Sequence, residues 1–345
     1  MRELKKPHFS MAGWGLFLAG ALTLSSCSNE DLPGGEEQGP AIEFGEVKTR
    51  AEVTEAGQIK EFSVFAEQNY LNEDNSESLD FISLLENERV YRTGDNQDGD
   101  FTYNNKRYWV YDRTFNFFAV HPYMETGITK TSFQQNNNSY DGFSIAFETP
   151  ATADTDLMAG YKTERTITGE TLPSSVDMEF KHLLAKINIK VAKNTQNEDN
   201  KVIVKSISLG GVWRTGTFST SRFADYKDNW DFYGSGVMTI TKTEGWTLDT
   251  NGVETMGNGL LLMPQSIELN TMPITITYEY YSNASDTTPQ KTSTVQAFLT
   301  AGEWKAGTQY SYNIVLAAED NNIKFTTPTV APWGAPQSAG TIIIN

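Results

Sequence analysis

Short runs that alternate apolar and polar residues at a period of two leave this chain little choice of fold. "IKEFSVFA" (59–66) puts Phe62, Val64 and Ala66 on one side, and "AKINIKVA" (185–192) and "ITITYEYY" (274–281) repeat the pattern. Successive side chains of an extended strand point to opposite faces, so each run can bury one face of a sheet. "RYWVYD", "FNFFAVHP", "GFSIAFE", "KVIVKSISL", "VQAFL" and "YSYNIVL" are equally short, rich in β-branched or aromatic residues, and bounded by turn residues. Strands at near-regular spacing predict an all-β chain of the sandwich kind. "AIEFGEV" (41–47) follows the same rule at Ile42 and Phe44, slips at Gly45 and resumes at Val47. One segment departs from it. "SESLDFISLLENERV" (76–90) sets Leu79, Ile82, Leu84 and Leu85 at helical spacing behind Ser76 or Ser78, and predicts a helix or a loop with one helical turn.

The N-terminus has a different character. Arg2, Lys5 and Lys6 precede an uncharged run, "MAGWGLFLAGALTL" (11–24), too short to span a bilayer comfortably. A basic start, a short apolar stretch and small residues make a secretory signal. The run ends in Leu24-Ser25-Ser26-Cys27, and Cys27 is the only cysteine in 345 residues. That ending resembles a bacterial lipobox, in which the chain is cut between Ser26 and Cys27 and the cysteine is acylated. Two or more acyl chains give stable membrane anchoring. Residues 1–26 are therefore expected to be a lipoprotein signal peptide. The acidic, Gly/Pro-rich "SNEDLPGGEEQGP" that follows completes a flexible tether over 27–40. The whole chain carries net charge −17, and removing a segment of net +2 leaves −19. Such a balance argues against nucleic acid as a partner. With Cys27 lipidated, neither a disulfide framework nor a cysteine-based zinc site is available to the rest.

Residues that carry chemistry are sparse. The three histidines are His8 in the signal, His121 before Pro122, and His182 in "EFKHLLAK", which reads as a packed strand residue. There is no G-x-S-x-G, paired-histidine or Walker pattern, so neither a catalytic constellation nor a cofactor is expected. "DNQDGD" (95–100) offers Asp95, Asp98 and Asp100 as oxygen ligands for calcium, but Gly99 is one place early for an EF-hand and no Glu closes the loop. It reads equally as a hairpin turn built on Asp98-Gly99. Tyr108, Trp109, Tyr111, Phe115, Phe117 and Phe118 could line a sugar site or fill a core. The polar "TGETLPSS" (168–175) divides the chain near its middle and suggests an N-terminal domain over 41–172 and a C-terminal one over 173–345.

Several segments, in order, resemble the fimbrillins, the subunits of the type V pili of Bacteroidota. They are "FNFFAVHPY" (115–123), "FSIAFETPATADTDLMAGYKT" (143–163), "EFKHLLAKINIKV" (179–191), "GLLLMPQSIEL" (259–269), "WKAGTQYSYNIVL" (304–316) and "TVAPWG" (329–334). The resemblance implies two tandem transthyretin-like β-sandwiches of Greek-key type and a non-enzymatic pilus subunit. It implies a precursor that travels as an outer-membrane lipoprotein, handled by the lipoprotein-processing machinery and cut by an arginine-specific surface protease. The first strand then leaves, and a strand from another pilus subunit fills the groove. On this sequence the cut falls between Arg50 and Ala51, since Arg50 is the first arginine after the signal; Lys48 would suit only a lysine-specific enzyme. The family places the donor strand at the C-terminus, which here ends in the apolar triplet Ile342, Ile343 and Ile344. That tail would act as donor or dock in its own domain. A donor burying four large apolar side chains would gain roughly 6–12 kcal/mol before association costs. The alternative the resemblance allows is a non-polymerising tip, anchor or glycan-binding adhesin with host glycans or proteins as partners.

Overall fold

The computed structural model describes residues 38–49, 59–72, 74, 76–94, 99–135, 138–194, 199–221, 229–255, 259–318, 322–325 and 329–332. Among these residues the secondary structure is entirely β, with no helix. The chain runs first through β1 (Gln38–Ala41), β2 (Phe44–Thr49), β3 (Glu61–Leu71), β4 (Glu77–Arg92), β5 (Phe101–Thr102), β6 (Tyr108–Val110), β7 (Arg113–His121) and β8 (Ile128–Gln135). It continues through β9 (Asn138–Glu148), β10 (Met158–Thr166), β11 (Val176–His182), β12 (Ala185–Lys193), β13 (Lys201–Ser221), β14 (Asn229–Thr247), β15 (Val253–Glu254) and β16 (Leu260–Leu262). It ends with β17 (Gln265–Ile267), β18 (Pro273–Tyr281), β19 (Lys291–Phe298), β20 (Gly302–Trp304), β21 (Thr308–Ala317), β22 (Asn322–Phe325) and β23 (Thr329–Pro332).

Three large sheets form. The first has the order β2-β11-β10-β7-β3-β4-β5, and its inner face gathers Phe44, Phe62, Phe101, Trp109, Phe115, Phe117 and Phe180 into one aromatic core. The sheet curls around that core: its two edge strands, β2 and β5, approach each other. A second sheet, β15-β12-β21-β22 with β16 and β23 alongside, faces a third, β19-β18-β13-β9-β8 with β14 paired to β13. Ile187, Ile189, Val204, Ile207, Ile276 and Ile314 fill the space between them. The outer face of the first sheet, through Phe118, Val120 and Ala159, meets Phe143, Ile145, Phe147 and Phe218 of the third. The expected division at 172/173 lies within the first sheet, between β10 and β11. β8 and β9, earlier in sequence, belong to the third sheet through pairing of β9 with β13.

The helix expected over 76–90 is a strand, β4, paired with β3. The helical spacing is an effect of β-bulges. Between the Val64↔Glu88 and Ala66↔Leu85 pairs β4 advances one residue further than β3, and again between Ala66↔Leu85 and Glu67↔Ser83. An extra residue shifts the side-chain parity, so Leu85 and Val90, five apart, are both buried in the same core. Asn87 sits at the first bulge with φ of 52°, held by hydrogen bonds from its Nδ2 to the carbonyls of Met124 (2.8 Å) and Glu125 (3.2 Å).

Both histidines of the described chain serve the packing around β10. Met158 of β10 pairs with His121 of β7 on one side and His182 of β11 on the other. His182 is buried, its Nδ1 2.9 Å from Asp156 Oδ1. His121 Nδ1 lies 2.8 Å from the Glu61 carbonyl oxygen. Burial, above all else, holds the His121 imidazole below its ordinary value of 6.5, so the folded state prefers the neutral ring. The unfolded chain takes up this proton first. The contribution is complete above the unfolded value and is lost as pH falls through the lower folded one. Thermal unfolding followed between about pH 7 and pH 5 is therefore expected to fall less steeply for His121→Gln than for the wild type; parallel slopes would refute the assignment. Gly160 makes a second, independent expectation. A β-carbon there would collide with the Glu179 carbonyl oxygen of β11. Gly160→Ala should lower stability by about 1–3 kcal/mol in urea unfolding.

Candidate strand-exchange site

The first two strands of the described chain close the aromatic core. β1 pairs antiparallel with β6, and the Ile42 amide donates to the Arg107 carbonyl at 2.8 Å. β2 then runs parallel to β11, from Phe44↔Val176 to Thr49↔Phe180. Between Phe44↔Val176 and Val47↔Met178, β2 advances three residues while β11 advances two. The slip read at Gly45 is this bulge. Glycine suits it, because a β-carbon at Gly45 would displace the Asp177 and Ser175 side chains. The Glu46 amide is satisfied by Asp177 Oδ1 at 2.9 Å. The bulge restores the alternation: Phe44 and Val47 face inward, while Glu46 and Lys48 pair in solvent at 2.9 Å.

Ile42, Phe44 and Val47 are 0%, 4% and 4% exposed. The Phe44 ring stands edge-on to Phe62, Tyr103 and Phe117, with centroids 5.8, 5.6 and 6.1 Å away. Such contacts add to area burial. Transfer of the three side chains from water accounts for about 4–9 kcal/mol. Two polar contacts set the register. The Tyr103 hydroxyl donates to the Ile42 carbonyl at 2.9 Å, and burial pushes that phenol up to about 12, so it stays a protonated donor. Lys106 Nζ reaches Glu43 Oε2 at 2.7 Å, lying 4.5 Å from the centre of the Tyr103 ring. Residues 38–49 are thus an edge segment held by β6 over its first strand, by β11 over its second, and beneath by aromatic rings. Removal of an edge strand uncovers a row of unpaired backbone groups beside an apolar slot.

The last described strands have the opposite character. β22 and β23 both pair with β21. β23 alternates half-buried and exposed residues, and Val330 is 57% exposed. Pro332 ends this strand at a sheet edge, where proline is tolerated.

Other expected positions separate into groups. Ser26, Cys27, the tether up to residue 37, Arg50, Ala51 and the triplet Ile342–Ile344 lie outside the described residues. So do Asp95 and Asp98, although their flanks form a hairpin, with Arg92↔Phe101 paired and the Thr93 amide donating to the Asp100 carbonyl at 3.0 Å. No three His, Cys, Asp or Glu side chains among the described residues converge as a metal site would require. Trp109, Phe115, Phe117 and Phe118 are core, each 2% exposed or less, and only Tyr108 of that series is exposed. Tyr103, Lys106 and Asp177 escaped the sequence reading. The only hint was Gly45, whose break in alternation called for a partner to the unpaired amide.

A family model described as fimbrillin-like matches residues 49–333. No curated protein is significantly similar in sequence. Among solved structures, a fimbrial protein from Bacteroides vulgatus ATCC 8482 superposes with a TM-score of 0.58 at 19% identity, covering 86% of this chain and 100% of its own. A candidate cell-adhesion protein from Bacteroides ovatus ATCC 8483 gives a TM-score of 0.51 at 13% identity, covering 88% of this chain and 100% of its own. Both likenesses confirm the fold. The family match takes in every strand from β3 to β23, and the chain belongs to the fimbrillin-like family.

Proposed function

We propose that this chain is a structural subunit of a cell-surface fimbrium, made as an outer-membrane lipoprotein on Cys27 and matured by a cut between Arg50 and Ala51. Residues 38–49 then act as a removable plug. The observation that supports this best is the one-sided burial of β2. Ile42, Phe44 and Val47 fill an aromatic slot from a sheet edge, and the segment ends one residue before Arg50. An arginine between two strands is open to proteolysis when its backbone is not held in a ladder. While the plug is in place, the slot cannot accept a strand from another subunit, so assembly waits for the cut. An arginine-specific surface protease is the partner that starts it, and other pilus subunits complete it.

The C-terminal tail supplies the donor in this reading. β23 buries little and sits at a sheet edge, so its release costs few apolar contacts. Of the apolar triplet Ile342–Ile344, an extended strand would present Ile342 and Ile344 together to the slot left by Ile42, Phe44 and Val47. Main-chain pairing supplies affinity in such strand addition, and alternate side chains supply specificity.

N-terminal sequencing of protein recovered from cells should find a species beginning at Ala51, and Arg50→Ala should leave only the form beginning at Cys27. Recovery of Cys27 termini alone from the wild type would refute the maturation step. A chain lacking residues 337–345 should be cut normally yet fail to form multimers in electron micrographs. Phe44→Ala should cost the uncut precursor about 3–5 kcal/mol in unfolding free energy. It should leave the cut protein unchanged, because the substituted residue is then absent. Equal destabilisation of both forms would show that the segment stays bound.

A further inference from the structure

Beyond the strand slot, the fold contains a cavity of about 230 Å³. Its lining comes from β3 (Phe65, Glu67), β7 (Phe118), β10 (Tyr161), the bulged stretch of β4 (Ser83, Glu86) and, from the third sheet, β8 and β9. Two of the β4 register shifts flank Ala66, itself a lining residue, so the bulged backbone of β4 lies beside the cavity. Hydrogen bonds from Asn87 to Met124 and Glu125 pin the bulge in that position. Bulges commonly mark places where a sheet is shaped around a site.

The floor is a continuous aromatic wall. Phe118 stacks on Phe143 with centroids 4.0 Å apart and planes 12° apart, and Tyr161 and Phe65 adjoin that pair at 4.7 and 5.0 Å. The polar groups are acidic on balance. Glu67, its side chain only 11% exposed, pairs with Lys130 at 2.7 Å, while Glu86 receives a hydrogen bond from Ser83 at 3.0 Å. The lining thus holds two carboxylates and one ammonium, the ammonium paired with Glu67 and Glu86 standing at an exposed position. An apolar cavity of about 150 Å³ takes up benzene, so this one has room for a bicyclic ring. A mostly apolar cavity with a few convergent polar groups is the usual form of a small-molecule site. Cations are drawn both to aromatic faces and to the carboxylates.

We propose that this cavity binds a small aromatic amine, its ring against Phe65, Phe118 and Tyr161 and its ammonium toward Glu67 and Glu86. The test is isothermal titration of the full chain with tryptamine, indole and indole-3-acetate. Tryptamine should bind about tenfold or more tightly than indole-3-acetate, with indole between them. Ser83→Trp, which places a ring at the mouth from an exposed position, should abolish binding of all three. Glu86→Gln, also at an exposed residue, should weaken tryptamine alone and leave indole unchanged. Absence of tryptamine binding up to its solubility limit, equal affinity for the amine and the acetate, or indifference to Glu86→Gln would each overturn the proposal. Should Ser83→Trp disturb folding, the Glu86→Gln comparison decides by itself.

Discussion

One ring determines how the N-terminal half of this protein holds together. Phe44 enters the first sheet from its edge and meets Phe62, Tyr103 and Phe117, residues from three different places in the curl. The sheet can wrap around an aromatic core only if something closes the gap between its edges, and the segment leading into β2 and β2 itself do so with Ile42, Phe44 and Val47. The strand that seals the core is therefore peripheral in the ladder but central in the packing. Among the described residues its ladder pairs with β11, while the Phe44 ring reaches across to β3, β7 and Tyr103. That combination is what the proposed plug requires: stability while it is present, and few backbone bonds to break on its release.

The contacts around it repeat this division of labour. Tyr103 is buried and stays protonated, so it can serve the Ile42 carbonyl without introducing charge. Lys106 and Glu43 pair at the rim, where solvent moderates their attraction. Gly160 lets β11 lie close to β10, and β11 in turn presents its edge to β2. Packing provides the energy here, and the polar groups fix the register.

Much of this was legible in the sequence. Period-two runs located most strands, because a half-buried strand must alternate, and the slip at Gly45 marked a real bulge in the right place. The helix over 76–90 failed for the same physical reason. Three register shifts in β4 convert period two into an irregular spacing that imitates three and four, and nothing local distinguishes them. Pairing was less visible than strand position. That β2 would run parallel to β11, more than 120 residues away, depends on which apolar faces fit together in space. The pairing of β9 with β13, beyond the polar stretch at 168–175, is equally non-local. Tyr103 looked like one more aromatic; its role depends on a carbonyl 61 residues earlier. The proposed maturation and lipidation positions rest on motif and resemblance alone and lie outside the described residues.

β13 deserves a different consideration. Its 21 residues pair with β18 over the first half and with β9 over the second, while β14 follows it along most of its length. One continuous backbone thus links the isoleucine-rich core to the outer face of the aromatic one. A load drawing the two apart along β13 would act lengthwise on both ladders. Many hydrogen bonds would then share the stress in shear rather than unzip in turn, so β13 works as the tie rod of the molecule.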